Sequence, residues 1–226
     1  MKKFAVIVAG GMGQRMGADT PKQFLMLRGK PVLWYSINTF LSAYDDMQII
    51  LVLPLAHLES GIELRNSFAN KDRIQIISGG VTRFHSVQNG LKAIKDKSVV
   101  FVHDAVRCLV SKDLIKKCYE QAIEKGSAVP AVAASDSIRI ADGEKTVVAD
   151  RDTIRMIQTP QTFTSEIILP AFEQEFNHAF TDEATVVEAS GKEIFLIEGE
   201  YNNIKITRPI DLVIAEKILE ERSVFE

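Results

Sequence analysis

Residues 5–25 read AVIVAGGMGQRMGADTPKQFL, a short run of Val and Ile that breaks into glycines at 10, 11, 13 and 17, with Arg15 among them and Lys22 just beyond. Glycine is costly to order, so a cluster of it marks backbone that takes up positive φ or approaches something closely. The apolar run before it, residues 4–9, has the length and β-branched content of a buried strand in an α/β sheet. The glycines therefore follow a strand's carboxyl end. Neither common phosphate loop fits: a dinucleotide fingerprint needs Gly where Met16 stands, and a P-loop needs Gly-Lys-Ser/Thr where Gly17 is followed by Ala18 and Asp19. What remains, GGxGxRMG and then PKQ, reads as a loop whose backbone N–H groups cradle phosphate oxygens beside two cations. The competing reading is a glycine-rich turn with two solvated basic residues.

Outward from this loop, strand-like runs at 48–53, 74–78, 98–102 and 127–133 alternate with helical spacing at 31–43, 55–68, 82–94 and 112–124, with Pro31 at the first helical position. Such alternation predicts an α/β fold, a mostly parallel sheet with helices on both faces and a ligand site at the strands' carboxyl ends. Residues 134–152 change texture, with a DG pair between two short Ile/Val-containing runs, and predict a β-hairpin with little core of its own. Residues 155–158 then return to the sheet. Helices are expected at 165–176, 181–190 and 209–221, and a last strand at 194–197. No repeat or linker interrupts the 226 residues, so a single domain, 1–226, carrying a β-arm at about 134–153, is expected.

Composition narrows the function. A net charge of −3 gives no overall basic footprint of the kind duplex nucleic acid demands. No apolar run reaches a membrane span, and the amino terminus lacks the pattern of a signal peptide, so a cytoplasmic protein that engages neither membrane nor nucleic acid is expected. Cys108 and Cys118 have no metal-ligand spacing, and the four histidines form no zinc motif.

Three further stretches carry chemistry. In VVFVHDAVRCLV (99–110), Asp104 follows a strand, where a carboxylate suits Mg²⁺ shared with substrate phosphates, and Arg107 offers a planar fork to an anion. The bland alternative is a turn-capping Asp and a rim Arg; His103 next to them is expected to be a packed or turn histidine rather than a base. SGGVTRFHS (78–86) sets two glycines and Arg83 before a helix, whose N-terminus favours anions, and NNIKITRPIDL (202–212) sets Lys205 before another; taken alone, the first reads as a capped turn and the second as a solvated lysine.

Taken in order, AGGMGQRMGADTPKQFL, GGVTRFHSV, HDAVR, DRDTIRMIQTPQTF, TDEATVVEA and EGEYNNIKITRPIDLVIAE resemble the 2-C-methyl-D-erythritol 4-phosphate cytidylyltransferases of the non-mevalonate isoprenoid pathway, over residues 4–216. The resemblance implies a Rossmann-like nucleotidyltransferase that uses CTP and Mg²⁺ or another divalent cation, with a β-arm clasping the second subunit of a homodimer. It implies that Ala9, Gly10, Gly11 and Gly13 surround CTP, with Arg15 and Lys22 as catalytic cations on its triphosphate. Gly80, Arg83, Ser86 and Ala105 match positions that read cytosine and ribose. Asp104, Arg107, Ser137, Thr159 and Lys205 match the side that binds the acceptor, a small phosphorylated polyol, with Asp104 also near the metal. Lys205 and Arg151 belong with the catalytic cations, Arg151 being supplied from the neighbouring subunit's arm.

The chain departs from the family pattern at Gly10, in HDAVRC where HDAARP is usual, at Ser137 in place of Thr and at Val81, often an acidic residue; none of these removes an expected charge. A ribitol 5-phosphate cytidylyltransferase shares the AGG loop and PKQFL stretch, and a catalytically silent nucleotide-binding module is the alternative of another class. Asp182 is expected to cap a helix rather than act on substrate.

Overall fold

A computed structural model describes residues 1–10 and 20–225, with side chains as far as Arg222; Gly11, Gly13 and Arg15 of the glycine loop lie outside the described residues. Strand β1 (Lys2–Val8) lies at the centre of the sheet, between β4 (Met47–Leu53) and β6 (Ser98–Asp104), and both pairings are parallel. β5 (Ile74–Ser78) extends the parallel sheet beyond β4. On the far side of β6, β11 (Gln161–Thr164) runs antiparallel and joins it to β7 (Ser127–Ala133). β10 (Arg155–Ile157) also runs against β7, and β12 (Leu196–Glu198) pairs with β7 in parallel. The mostly parallel sheet read from the sequence is present.

Alternation along the central strands explains why both faces are covered. Ala5 and Ile7 of β1 face a core built from α1 (Val32–Ala43) and α4 (Lys112–Lys125). Val6 and Val8 face the other way, toward α3 (Arg83–Leu91), α5 (Ser165–Ala171) and α6 (Glu183–Ala189). Phe40 of α1 and Phe101 of β6 are fully buried, their ring centroids 5.7 Å apart, and each contributes roughly 2–3 kcal/mol by leaving water. A third cluster ties Ile206 and, from α7 (Pro209–Phe225), Ala215 to Val32 and Leu109. The shorter elements are the β2 (Met26–Leu27) and β3 (Lys30–Pro31) pair and helix α2 (Leu58–Asn66).

Several boundaries differ from the sequence reading. Pro31 is the N-cap of α1, with extended ψ of 146°, rather than its first helical residue. α5 stops at Ala171, five residues short of the predicted end, and a capping residue, Phe172, leads into turns. β12 begins two residues later than the predicted strand, and β11 was not anticipated at all.

Residues 138–149 form the expected hairpin, β8 (Ile138–Asp142) against β9 (Lys145–Ala149), a two-stranded sheet of its own. Asp142 pairs with Lys145, so the turn residues are Gly143 and Glu144, and Gly143 adopts φ of 59°. A positive φ at the first turn position alone is the type II′ pattern, whose twist suits a two-residue hairpin loop and whose first position favours Gly.

Candidate active site

The carboxyl ends of β1, β4, β5 and β6 open onto one cavity of about 550 Å³. Ala9 and Gly10 follow β1, Gly79 and Gly80 follow β5, and Asp104 closes β6; Lys22 and Lys205 reach the same space from the chain before β2 and before α7. Five of the residues assigned to the nucleotide, Ala9, Gly10, Gly80, Arg83 and Ser86, line it. Ala105 does not: it is buried, its N–H donates to the Val8 carbonyl and its own carbonyl accepts from Ser36.

The wall from 79 to 86 is shaped by close approach. A Cβ on Gly80 would lie 2.4 Å from Cβ of His85, and one on Gly79 would lie 2.9 Å from Oγ of Ser86, so side chains are excluded there. Ser86 Oγ accepts the Gly80 N–H at 3.1 Å and donates to the Thr82 carbonyl at 2.9 Å. Thr82 caps α3 by accepting from the His85 N–H. The positive end of α3 therefore faces the cavity, a favourable setting for anions.

Asp104 sits at the centre of a chain of charges. Its Oδ2 lies 2.7 Å from Nζ of Lys205, and its Oδ1 accepts from Nε and Nη2 of Arg83 at 3.3 and 3.1 Å. Burial works to raise the Asp104 carboxyl, but the Arg83 guanidinium and the Lys205 ammonium outweigh it and hold it well below the usual carboxylate range. Arg83 in turn grips Glu183, which is 1% exposed, through Nη1 at 2.5 Å and Nη2 at 3.0 Å. Burial raises the Glu183 carboxyl, while Arg83 pulls it back.

Behind Asp104 lies a neutral relay. Thr159 Oγ1 accepts the Asp104 N–H at 3.0 Å and lies 3.0 Å from Nδ1 of His103, whose Nε2 is 3.1 Å from the Arg107 carbonyl. A carbonyl only accepts, so Nε2 carries the proton and Nδ1 accepts from the Thr159 hydroxyl. Burial pushes His103 down to about 4, which keeps it neutral, and Phe40 packs on it edge to face. His103 is the packed histidine expected from the sequence. Thr159, assigned to the acceptor phosphate, directs its hydroxyl hydrogen inward in this arrangement and fixes the backbone of Asp104.

The remaining acceptor-side residues are more dispersed. Arg107 donates from Nη1 to the Asn203 carbonyl at 2.8 Å and from Nη2 to the Ile157 carbonyl at 3.3 Å, and burial lowers its pKa. Ser137 and Arg151 stand exposed at the foot of the hairpin, with Arg151 donating to the Ser135 carbonyl. Arg107, Ser137 and Arg151 are not among the residues lining the cavity. Asp182 caps α6 in a capping box with Thr185, as expected. Residue-by-residue reading missed Glu183, Gln23 and Asn203. Gln23 is buried and donates to the Ala9 carbonyl, and buried Asn203 donates to the Thr159 carbonyl, so these two amides fix the backbone at Ala9 and at Thr159. The only sequence signal for them was their place inside PKQ and NNIKI.

The family model described as IspD, 2-C-methyl-D-erythritol 4-phosphate cytidylyltransferase, matches residues 4–221. The 2-C-methyl-D-erythritol 4-phosphate cytidylyltransferase of Phocaeicola vulgatus is 42% identical over 219 residues, which span 97% of this chain and 100% of that one. Among solved structures, the 4-diphosphocytidyl-2C-methyl-D-erythritol synthase of Anaerococcus prevotii superposes with a TM-score of 0.82 at 27% identity, covering 97% of this chain and 99% of its own. The Francisella tularensis 2-C-methyl-D-erythritol 4-phosphate cytidylyltransferase does so with a TM-score of 0.78 at 31% identity, covering 96% and 99%. With the family model covering nearly the whole length, the chain belongs to the 2-C-methyl-D-erythritol 4-phosphate cytidylyltransferase family.

Proposed function

We propose that this protein transfers the cytidylyl group of CTP to 2-C-methyl-D-erythritol 4-phosphate, giving 4-diphosphocytidyl-2-C-methyl-D-erythritol and pyrophosphate. The observation that carries this reading is the meeting of Lys22, Asp104, Lys205 and the Gly79–Gly80 wall in one cavity of a chain from this family. The reaction is an in-line displacement: an oxygen of the acceptor phosphate bonds to the α-phosphorus, and the bond to the bridging oxygen of pyrophosphate breaks. No general base is needed, because a phosphate monoester has its second pKa near 6 and is largely dianionic at neutral pH. The barrier lies in bringing two polyanions together and in stabilising the charge that passes to the leaving group.

The chain's own residues answer that need. Lys22 neutralises the triphosphate and the departing pyrophosphate, with Ala9 and Gly10 on the same side of the cavity; Gly11, Gly13 and Arg15, assigned to the same role, lie outside the described residues. Gly80, Ser86 and Arg83 form the wall against the nucleoside. Lys205, Arg107 and, from a second copy, Arg151 hold the acceptor phosphate, with Ser137 beside them. Asp104 holds Lys205 in place before the acceptor arrives.

A divalent cation fits the donor set at Asp104. Mg²⁺ takes one or two carboxylates and completes its shell with substrate phosphates and water, and Asp104 offers a carboxylate kept ionised at the cavity wall. An ion held there by Asp104 would supply positive charge to the triphosphate oxygens.

The whole chain acts as one domain with the hairpin as its arm, and the arm binds a second copy. Ile140, Val147 and Val148 stand 54%, 56% and 73% exposed on a hairpin that, among the described residues, pairs with no third strand, an arrangement with little stability of its own in water. Among the described residues no helix is long and apolar enough to cross a membrane, and the cytoplasm is the proposed place of action.

The test is pyrophosphate release with CTP and Mg²⁺ and one of three acceptor conditions. Fast release with methylerythritol phosphate and slow release with ribitol 5-phosphate or no acceptor is the expected result. Preference for ribitol 5-phosphate would overturn the acceptor, and silence with both would overturn the transferase reading.

A further inference from the structure

Glu183 is the most deeply buried acid of the charge chain, and it does not line the cavity. It is the first residue of α6, Arg83 is the first of α3 and Asp104 the last of β6, so three separate elements meet through one guanidinium. Both Glu183 oxygens accept from Arg83, which leaves Nε and the second hydrogen of Nη2 for Asp104. The two carboxylates are the buried members of the series, Glu183 at 1% and Asp104 at 12% side-chain exposure, against 32% at Arg83 and 42% at Lys205. Stability alone is a poor reason for such an arrangement, since a buried ion pair adds little over apolar packing of the same volume. Its distinguishing property is geometric: a bidentate grip fixes a long, otherwise mobile side chain in one plane.

We propose that Glu183 is a positioning residue of this site, a buried clamp that holds Arg83 against Asp104 and thereby fixes the carboxylate that carries Lys205. The inference rests on the cytidylyltransferase reading above. Without Glu183, nothing described on that side holds Nη1, and the Arg83 guanidinium is drawn to the nearest polyanion, the nucleotide triphosphate. Asp104 then loses one of its two cations and its fixed orientation. Glu183 itself touches no substrate, so its loss acts through Arg83 and Asp104 and falls on turnover more than on CTP affinity.

Glu183→Gln, Glu183→Asp, Asp104→Asn and the double variant Glu183→Gln/Asp104→Asn test this by pyrophosphate release, assayed well below each variant's unfolding midpoint. Glu183→Gln is expected to lower kcat on the order of 10²-fold, with KM for CTP unchanged or lower, the effect of a small misplacement at the reacting centre. Glu183→Asp keeps the charge and should recover part of the loss. The double variant should be no slower than Asp104→Asn alone, because the two residues act as one unit. A crystal structure of Glu183→Gln should show Arg83 withdrawn from Asp104.

Folded variants with the kcat of the parent, losses that multiply in the double variant, or Arg83 still seated on Asp104 would each overturn the clamp. Failure of both Glu183 variants to fold would do so too, and would make Glu183 a structural anchor. Absence of turnover in the parent protein overturns the transferase reading instead, and the crystal structure then decides the clamp by itself.

Discussion

Lys205 and Asp104, joined at 2.7 Å, come from opposite ends of the chain's logic: the acid ends a central strand, and the base lies in the stretch leading to the last helix. With Arg83 on the other oxygen, Asp104 is bracketed by cations and stays ionised at any working pH. Asp104→Asn keeps the shape and removes the charge, leaving two cations facing a neutral amide. Turnover should fall on the order of 10²-fold, while far-UV circular dichroism stays that of the parent. Steady-state assay of the purified variant checks this, and a loss below about threefold would remove Asp104 from the machinery.

Thr159 stands one step behind. Its hydroxyl satisfies the Asp104 N–H and the Nδ1 of a buried, neutral His103. Thr159→Val retains the volume and leaves both groups unpaired, at a cost of about 2 kcal/mol. The unfolding midpoint should drop by about 4–8 °C. Thr159→Ser restores the hydroxyl and should recover most of the midpoint, which calorimetry on the three proteins would show. Equal midpoints for Val and Ser would mean that the relay carries no energy.

The fold was legible where hydropathy alone decides structure. β1, β4 and β6 are runs of Val, Ile and Leu flanked by helical spacing, and a mostly parallel α/β sheet follows from that alternation. β11 was illegible because Gln161 and Thr162 are polar yet buried to within 1%. Gln161 is satisfied there by accepting the Ala184 N–H and donating to Asp182, pairings more than twenty residues away. The site divides similarly. Glycine and charge spacing placed Gly80 and Asp104 at strand ends, Lys22 after the glycine loop and Lys205 before the last helix, and the fold brings all four to one cavity. Glu183 lay inside a quoted motif, but its partner is 100 residues away, and only folding shows that the two face each other.

The cysteines illustrate burial acting on reactivity. Both are free and buried, and burial pushes each thiol up to about 12. The thiolate is the reacting species, so neither Cys108 nor Cys118 should be alkylated by iodoacetamide at pH 8 in the native protein, and both should react once denaturant is added. The same shift has a sign for stability. The folded state holds its protons to about 12 while unfolded thiols release theirs near 8.5, so stability is complete below that value and declines as pH rises toward 12. Mass spectrometry after timed alkylation decides the first point, and denaturant titrations from pH 8 to 11 the second.

Arg151 gives the sharpest test of the arm. It stands at the foot of a hairpin whose apolar residues face solvent, 54% exposed itself and held within the chain by one long hydrogen bond and a weak contact to Asp152. If it completes the site of a second copy, Arg151→Ala homodimers lack an acceptor-phosphate cation, while Lys22→Ala homodimers lack the triphosphate cation, and each should lose on the order of 10²-fold in turnover. Mixed dimers are different. One of their two sites receives both defects and the other receives neither, so half of the parent's sites should return. Differently tagged subunits, co-expressed and purified as the heterodimer, allow the count. Activity no higher than that of either homodimer would show that Arg151 acts within its own chain, and a monomer at assay concentration would remove the arm's role altogether.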